Sequence, residues 1–478
     1  MSAIRWLFSC FAAVAALVSC TDSWQGQGGV PGGKLPDQFF TVAVESSGEL
    51  FSAGDGIAPL ARTRRPISSV NPAQTFDRMR ILIVEYASPA TVIWQTTIDD
   101  WSNPDNQASV PWSSATGRGR YATIRLPEHV RLEEGKTYMA YAIGYQTGTY
   151  GNYAPFAGVE TGGFYRRTEV ASVAPGEHPE EVFAGAEIFF VEGGVIRSRR
   201  SAEAESENGL LVARRQMAGT FGYFTRIPAV VGGVEVATLR LVASRCNRSV
   251  IFGGFRGVDD AFDFLKDNVI NGTEPRTDCD ARLDGSQRDD AFTVYAIGLN
   301  RWFPGNEADD RLPLDANGDG WLDEADANWQ TDVEQYPAGT ISLPPGTVFG
   351  DRFLIATAMT RAEVEADLPT FQLQLLDVAG RIVKHWDVTL RDTDPEADSD
   401  RTLVSLPDGP EGRTRITRLE NVDTERCFSI VRNRLYTVGE KSQSQSYGED
   451  HPVDLSAARE LVMDARHEWQ IANFIIFD

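Results

Sequence analysis

The sequence predicts an all-β protein, and three observations carry that expectation. Apolar stretches downstream of residue 36 are short and rich in Val, Ile, Phe and Tyr, the residues that suit a pleated, half-buried backbone. Gly, Pro, Asn and Asp break them at intervals typical of antiparallel sheets. Only short helices are expected, for example over Asp259–Lys266 and Leu455–Met463, the second opened by an Asp454 cap. With 478 residues, 42% of them hydrophobic, the chain is long enough for two or three domains with cores of their own.

In chain order, residues 1–19 read as a signal peptide. Arg5 precedes an apolar run from Trp6 to Val18 that is too short to span a bilayer, and Leu17-Val18-Ser19-Cys20 closes it. That ending is a bacterial lipoprotein signal, with Cys20 as the lipidation site and first residue of the mature chain. One acyl chain anchors only marginally, whereas several on one cysteine make a lasting anchor. The expected partner is then a membrane, and the expected location is the periplasm or the cell exterior. Residues 20–36 carry Gly26, Gly28, Gly29, Pro31, Gly32 and Gly33 with little to bury, the composition of a flexible tether.

Residues 37–208 form the expected N-terminal β-domain. Its strands are placed at Phe39–Val44, Arg80–Tyr86, Val92–Thr97, Tyr121–Leu126, Thr137–Tyr145 and Glu187–Val191. The charged segment Arg197–Asn208 then marks a domain boundary or a long surface loop. Residues 209–478 form the second domain, with strands at Val234–Val242, Val250–Phe252, Phe292–Ile297, Phe353–Ala358, Phe371–Leu376 and Val383–Leu390. Phe371–Leu375 alternates apolar and polar, and Asp377-Val378-Ala379-Gly380 supplies a hairpin turn into the next strand. The run Trp469–Asp478 is so apolar that it must pair with a sheet, its own or another molecule's.

The formal net charge of −23 argues against nucleic acid and against anionic lipid surfaces, and favours solubility and cation binding. Once Cys10 leaves with the signal and Cys20 takes lipid, Cys246, Cys279 and Cys427 remain, enough for one intramolecular disulfide with a thiol over. None has a metal-ligand spacing, and His129, His178, His385, His451 and His467 show no HExxH pattern, which argues against a zinc enzyme. No GxSxG elbow, phosphate-binding loop or GxGxxG after a strand is present. Carboxylate pairs such as Asp259/Asp260 and Asp289/Asp290 read as solvated faces in a chain with 68 acidic residues. No enzymatic activity is expected.

One segment has metal-binding chemistry. Residues Asp315–Asp326 place oxygen-bearing side chains at positions 1, 3, 5, 9 and 12 of a twelve-residue calcium loop, with Gly320 at the turn position. Asp315, Asn317, Asp319, Asp323 and Asp326 would supply oxygens directly or through water, and Trp321 its backbone carbonyl. Asp in place of Glu at position 12 resembles the loops of dockerin modules, but those carry two loops and this chain shows one. A single structural calcium in an insertion near residues 306–330 is therefore expected.

Several segments, taken in order, resemble the Bacteroidales fimbrillin-like lipoproteins, the pilin and anchor subunits of the type V pilus. Ile430–Val438 is similar to that family's Arg-Asn-x-x-Tyr strand, here Arg432-Asn433-Arg434-Leu435-Tyr436. Gly439-Glu440-Lys441, a helix start at Pro452–Ser456 and a terminal strand holding a Trp follow in the expected order. Phe76–Tyr86, Gly135–Gly144 and Arg226–Val242 look like the family's first core strand, its Gly-x-Tyr strand and the opening of its second domain.

The resemblance implies two tandem transthyretin-like Greek-key β-sandwiches and a structural, non-enzymatic surface protein of the outer membrane or fimbrium. It also implies pilus-subunit partners joined by strand addition, in which an Arg-specific protease removes the first strand and a neighbour's terminal strand fills the groove. The matching parts here are Phe39–Val44 as removable strand and Arg62, Arg64 and Arg65 as cut sites, with Pro66 disfavouring Arg65. Trp469, Ile471, Asn473, Ile475 and Phe477 would form the donor face. An anchor subunit would stay uncut, and the calcium loop and chain length tilt the reading toward an accessory, tip or anchor role. A host or bacterial surface ligand is a further candidate partner. The alternative is a surface glycan-binding lipoprotein of a polysaccharide-uptake system, with Trp94, Trp101, Trp112 and Tyr150 stacking on sugars.

Overall fold

The computed structural model describes residues 37–46, 76–87, 89–101, 109–113, 118–148, 150, 156–165, 169–173, 178–198, 208–243, 246–252, 272–275, 292–336, 341–357, 371–392, 403–408, 413–418, 430, 432–441, 450–457 and 461–466. Cys20, Arg62, Arg64, Arg65, the expected helix at Asp259–Lys266, Cys279, Cys427 and the run Trp469–Asp478 lie outside them. Among the described residues no helix is long and apolar enough to cross a membrane.

The chain is all-β. Its first half contributes β1 (Phe39–Ser46), β2 (Arg78–Glu85), β3 (Ala90–Asp99), β4 (Val110–Ser113), β5 (Arg118–Arg125), β6 (Thr137–Tyr145), β7 (Phe164–Tyr165), β8 (Glu169–Ser172), β9 (Val182–Glu192), β10 (Val195–Ser198) and β11 (Gly209–Arg215). All but β8 join one sheet in the order β4-β5-β1-β11-β9-β6-β2-β3-β7, with β10 on β9. The sheet curls back on itself. Phe40 of β1 meets Trp94 of β3 edge-on at 6.2 Å, although β11, β9, β6 and β2 lie between them in the sheet. A single curled sheet therefore encloses the core.

The sequence of β2 reflects its place. Ile81 and Ile83 enter the core with Phe40, Val42 and Val44, while Leu82 and Val84 face a second core shared with the other half of the chain. A strand covered on both faces needs a continuous apolar run, here Ile81-Leu82-Ile83-Val84.

The second half contributes β12 (Ala218–Thr225), β13 (Ile227–Pro228), β14 (Val230–Val231), β15 (Val234–Glu235), β16 (Thr238–Ala243), β17 (Asn247–Phe252), β18 (Gly272–Pro275), β19 (Thr293–Gly298), the one-turn helix α1 (Leu299–Trp302), β20 (Trp321–Leu322), β21 (Thr347–Leu354), β22 (Phe371–Leu376), β23 (Ile382–Asp392), β24 (Leu403–Asp408), β25 (Arg413–Arg418), β26 (Leu435–Val438), β27 (Val453–Asp454) and β28 (Leu461–Arg466). Its main sheet runs β19-β16-β22-β23-β28-β26-β12-β21, with β27 on β12. The two ends approach one another. A Cβ on Gly350 of β21 would lie 2.8 Å from Ile297 and Tyr295 of β19, so the sheet almost closes into a barrel. The halves are also stapled by β8, which adds to β17 and β18 in a three-stranded sheet where Ser172 and Ser249 hydroxyls meet at 2.7 Å.

Four expectations are corrected. The changeover between sheets falls at Gln216–Met217 and not after Asn208, because β10 and β11, on either side of the charged segment, both belong to the first sheet. Val234–Val242 is not one strand. Gly232 and Gly233, with φ of +58° and +83°, make the tight β14–β15 hairpin, and Val236 turns back to donate to Ala229 before β16 begins. Of Phe353–Ala358 only Phe353 and Leu354 are strand, the tail of β21, whose start was hidden by Gly350 and Asp351, residues that read as turn punctuation, and Ala358 lies outside the described residues. In the fold Gly350 allows barrel closure, and buried Asp351 accepts a hydrogen bond from Tyr336 Oη at 2.8 Å. Leu455–Met463 is not a helix. Asp454 does accept from the Ser456 amide at 2.8 Å, but Leu461 and Met463 are buried around exposed Val462, the period-two pattern of β28 pairing in parallel with β23.

Candidate functional site: the first strand, the joint and the calcium loop

β1 lies inside the sheet with both edges paired. It runs parallel to β11, from Phe40 opposite Gly209 to Glu45 opposite Arg214. It runs antiparallel to β5, from Phe39 opposite Arg125 to Ser46 opposite Arg118. Phe40, Val42 and Val44 point inward and are fully buried, with Phe40 against Trp94 and Phe189. Buried Gln38 fastens the start of the strand: its Nε2 donates to the Leu132 carbonyl at 2.9 Å and its Oε1 accepts from the Leu132 amide at 2.8 Å. A half-exposed Asp37–Arg125 ion pair at 2.7 Å adds little there. Without β1, the facing edges of β5 and β11 would be left as two unpaired backbone ladders above three apolar slots.

From β11 the chain passes into β12 through Gln216 and Met217 alone. Arg215 Nε and Nη2 donate to Glu181 Oε1 at 3.0 and 2.8 Å, and both side chains are fully buried. Burial lowers the Arg215 pKa below its ordinary value, against the opposing charge and hydrogen bond of Glu181. Phe183 lies under that guanidinium, 5.1 Å from ring centre to Cζ.

The Arg-Asn-x-x-Tyr segment closes over the same joint. The Asn433 amide donates to the Met217 carbonyl at 2.7 Å, the Arg434 carbonyl accepts from Gly219 at 2.8 Å, and Arg432 donates to Gln216 Oε1 at 3.2 Å. Asn433 takes a φ of +55°, a conformation Asn tolerates better than most residues. The motif thus has a structural task, locking the end of the second sheet onto the interdomain connection. Glu181 and Arg215 had no sequence signal, because a charge at a strand end normally reads as solvated.

The loop Asp315–Asp326 is wound by its own side chains. Asp315 accepts from the amides of Gly318 and Gly320, each at 2.7 Å. Asn317 accepts from Asp319 at 2.8 Å and Asp319 from Trp321 at 2.9 Å. Asp326 reaches back to the start of the loop, accepting from Ala316 at 2.6 Å and from Asp323 at 3.0 Å. Gly318 and Gly320, with φ of +72° and +93°, permit the coil. Asp323 and Asp326 are buried, and Arg226 approaches Asp323 at 3.6 Å while lying 5.9 Å from the Trp321 ring.

The loop is anchored on both sides. Its β20 pairs with β13, and Gly346, at φ +78°, sits so close that a Cβ there would be 2.0 Å from the Glu324 nitrogen. Among the described residues, no three His, Cys, Asp or Glu side chains are gathered as a metal cage. The donor set itself is all oxygen, which suits a hard cation such as calcium.

The aromatics considered for sugar stacking are mostly spoken for. Trp101 is fully buried and stacked on Phe76 at 5.9 Å, Tyr150 is buried with its hydroxyl donating to the Glu180 carbonyl at 2.9 Å, and Trp94 edges Phe40. They pack the core and form no exposed platform. The Cys246 sulfur donates to the Asn247 carbonyl at 3.4 Å.

No known family model matches the sequence, and no curated protein matches it. Solved structures do. The fimbrial anchor protein Mfa2 from Porphyromonas gingivalis is similar at 10% identity over 80% of this chain and 95% of its own, with a TM-score of 0.26. A protein provisionally described as a cell adhesion protein from Bacteroides ovatus is similar at 8% identity over 93% of this chain and 100% of its own, TM-score 0.35. One from Bacteroides eggerthii, described in the same way, gives 10% identity over 91% and 97%, TM-score 0.31. Identities and TM-scores of this size assign no function, which has to rest on the chain's own geometry. The solved structures to which this chain is similar thus include a fimbrial anchor protein and proteins provisionally described as cell adhesion proteins.

Proposed function

We propose that the protein is a non-enzymatic, fimbrillin-like surface lipoprotein that supports adhesion. It would act as an accessory, tip or anchor subunit: uncut, it stays held to the outer membrane through Cys20, and cut after Arg62 or Arg64 it gives up Cys20 and β1 together and joins other pilus subunits at the vacated position. The observation that carries this reading is the placement of β1. A strand that is the first of the described chain, yet is sandwiched between β5 and β11, can be replaced by another molecule's strand with every backbone bond restored. An edge strand would offer no such groove.

The test is to treat the lipid-free mature protein with an Arg-specific protease, then read the new N-terminus and the size distribution. One cut after Arg62 or Arg64 followed by ladder formation supports a polymerising subunit. A resistant monomer that captures a partner's donor-strand peptide only after β1 is deleted supports an anchor. Binding of that peptide by neither the cut nor the deleted form would overturn strand addition at β1.

We further propose that Asp315, Asn317, Asp319, Asp323 and Asp326, with the Trp321 carbonyl, hold one structural calcium. The ion would neutralise carboxylates that otherwise crowd one loop and would stiffen its grip on β13 and β21. Extracellular sites of this kind bind at about 10⁻⁴–10⁻³ M. Calcium at about 100 times the dissociation constant should stabilise the fold by about 2.7 kcal/mol in thermal unfolding. An Asp315→Ala/Asp326→Ala variant should lose that gain. Calorimetry showing no heat up to about 10 mM calcium, well above that affinity range, would refute the site.

A further inference from the structure

We propose that the parallel β1–β11 pair is a tension clamp, which carries pulling force from the N-terminal side of the chain into the second half by loading both strands in shear. The inference concerns the uncut chain, in which β1 is still continuous with the tether, and rests on the tether reading above only for the direction of the load. Tension arriving from upstream enters at the Phe39 end of β1. It leaves the first sheet at the Arg215 end of β11, because β12 begins just beyond Gln216 and Met217. In a parallel pair those two points lie at opposite ends of the ladder, so the strands are pulled past one another along their length. The six register pairs from Phe40/Gly209 to Glu45/Arg214 then resist together, whereas in an antiparallel pair the same load would open the bonds one at a time from a shared end.

Three features reinforce the clamp. β5 grips the other edge of β1 over its whole length, so extraction must shear two ladders at once. Phe40, Val42 and Val44 would have to be dragged out of a closed core. At the exit, Arg215 is fixed by Glu181, Gln216 donates to the Val182 carbonyl at 2.7 Å, and Met217 accepts from Asn433 of the second half. β9 lies flush on β11 at this end: a Cβ on Gly185 would be 2.0 Å from the Val212 carbonyl oxygen. Force reaching Arg215 is therefore handed to a joint with no slack linker.

The test is single-molecule stretching of the lipid-free mature chain held by a tag at each terminus. Forced unfolding reports the barrier along the pulling direction and not the equilibrium stability. The expected trace has no early low-force step, the first sheet yielding as one high-force event. Val42→Ala, which loosens β1, should lower that rupture force by roughly half. Ile81→Ala, in the same core but on β2, should lower the thermal midpoint comparably and leave the force near that of the unmodified chain. An early weak step whose length gain corresponds to release of β1 through Asp77 would overturn the proposal. So would equal weakening by both substitutions. The fimbrial reading fails by a different route, the absence of strand capture, which leaves these traces unchanged.

Discussion

Replacing Glu181 by Gln should be among the most damaging single-atom-scale changes in the molecule. The substitution keeps the shape and an oxygen that can accept from Arg215, but removes the charge that balances a guanidinium with no solvent exposure. Breaking a buried pair from one side leaves the other charge uncompensated, at a cost of about 3–5 kcal/mol. Because Gln retains an acceptor, the lower end, about 3 kcal/mol, applies, and Glu181→Ala should approach about 5 kcal/mol. For a unit of this size about 3 kcal/mol corresponds to a fall in Tm of about 6–12 °C.

The decisive comparison is the double variant Glu181→Leu/Arg215→Met, which removes both charges and fills the space. It should come within about 1 kcal/mol of the unmodified protein or exceed it. Urea unfolding followed by tryptophan fluorescence reads all three variants on one scale. If Glu181→Gln unfolds within about 0.5 kcal/mol of the parent, the typical spread of harmless surface changes, the account of the joint is wrong.

Three further outcomes are expected. Gly346→Ala combines a strained φ with a clash against the backbone at Glu324, and should cost more than about 2 kcal/mol in thermal unfolding while weakening calcium binding. The Asp377 carboxyl is raised by burial, but the amide and guanidinium of Arg381 and the Ala379 amide outweigh this and leave its pKa below the ordinary 3.8. The sign follows: it stabilises the β22–β23 turn above the unfolded value and loses that contribution as pH falls through the depressed one, so Asp377→Asn should flatten the acid limb of the stability curve below about pH 4. Met463→Asp should cost at least about 3 kcal/mol and its neighbour Val462→Asp less than about 0.5 kcal/mol, a contrast that thermal denaturation reads directly.

Much of the fold was legible because strands with one job advertise it. Thr137–Tyr145 and Phe371–Leu376 coincide with β6 and β22, and Asp377 closes the hairpin between β22 and β23, with Gly380 donating back to it at 3.0 Å. The failures have a common cause: residues that usually mark turns were recruited by tertiary contacts. Gly350 is in β21 because two side chains of β19 fill the space a Cβ would take, and Asp351 is tolerated beside it because Tyr336 reaches it. The Asp454 cap pointed to a helix over Leu455–Met463, but parallel pairing of β28 with β23 decided the outcome. At the sites, β1 and the coil of Asp315–Asp326 could be placed from spacing alone. The Glu181–Arg215 pair could not, since its partners are 34 residues apart and nothing local distinguishes either from a solvated charge.

The pairing of β1 with β11 also fixes when the first half can be finished. Phe40 waits for Gly209, a separation of 209 − 40 = 169 residues, and closing so long a loop delays folding far more than it weakens the final state. As the chain is made from its N-terminus, β2, β3 and β6 can pair early, while the slot beside β5 stays half-built until residues 209–215 arrive. The nascent chain therefore passes through a stage in which β1 is the last to be secured, and that interval is when a chaperone or a competing strand would find it most receptive.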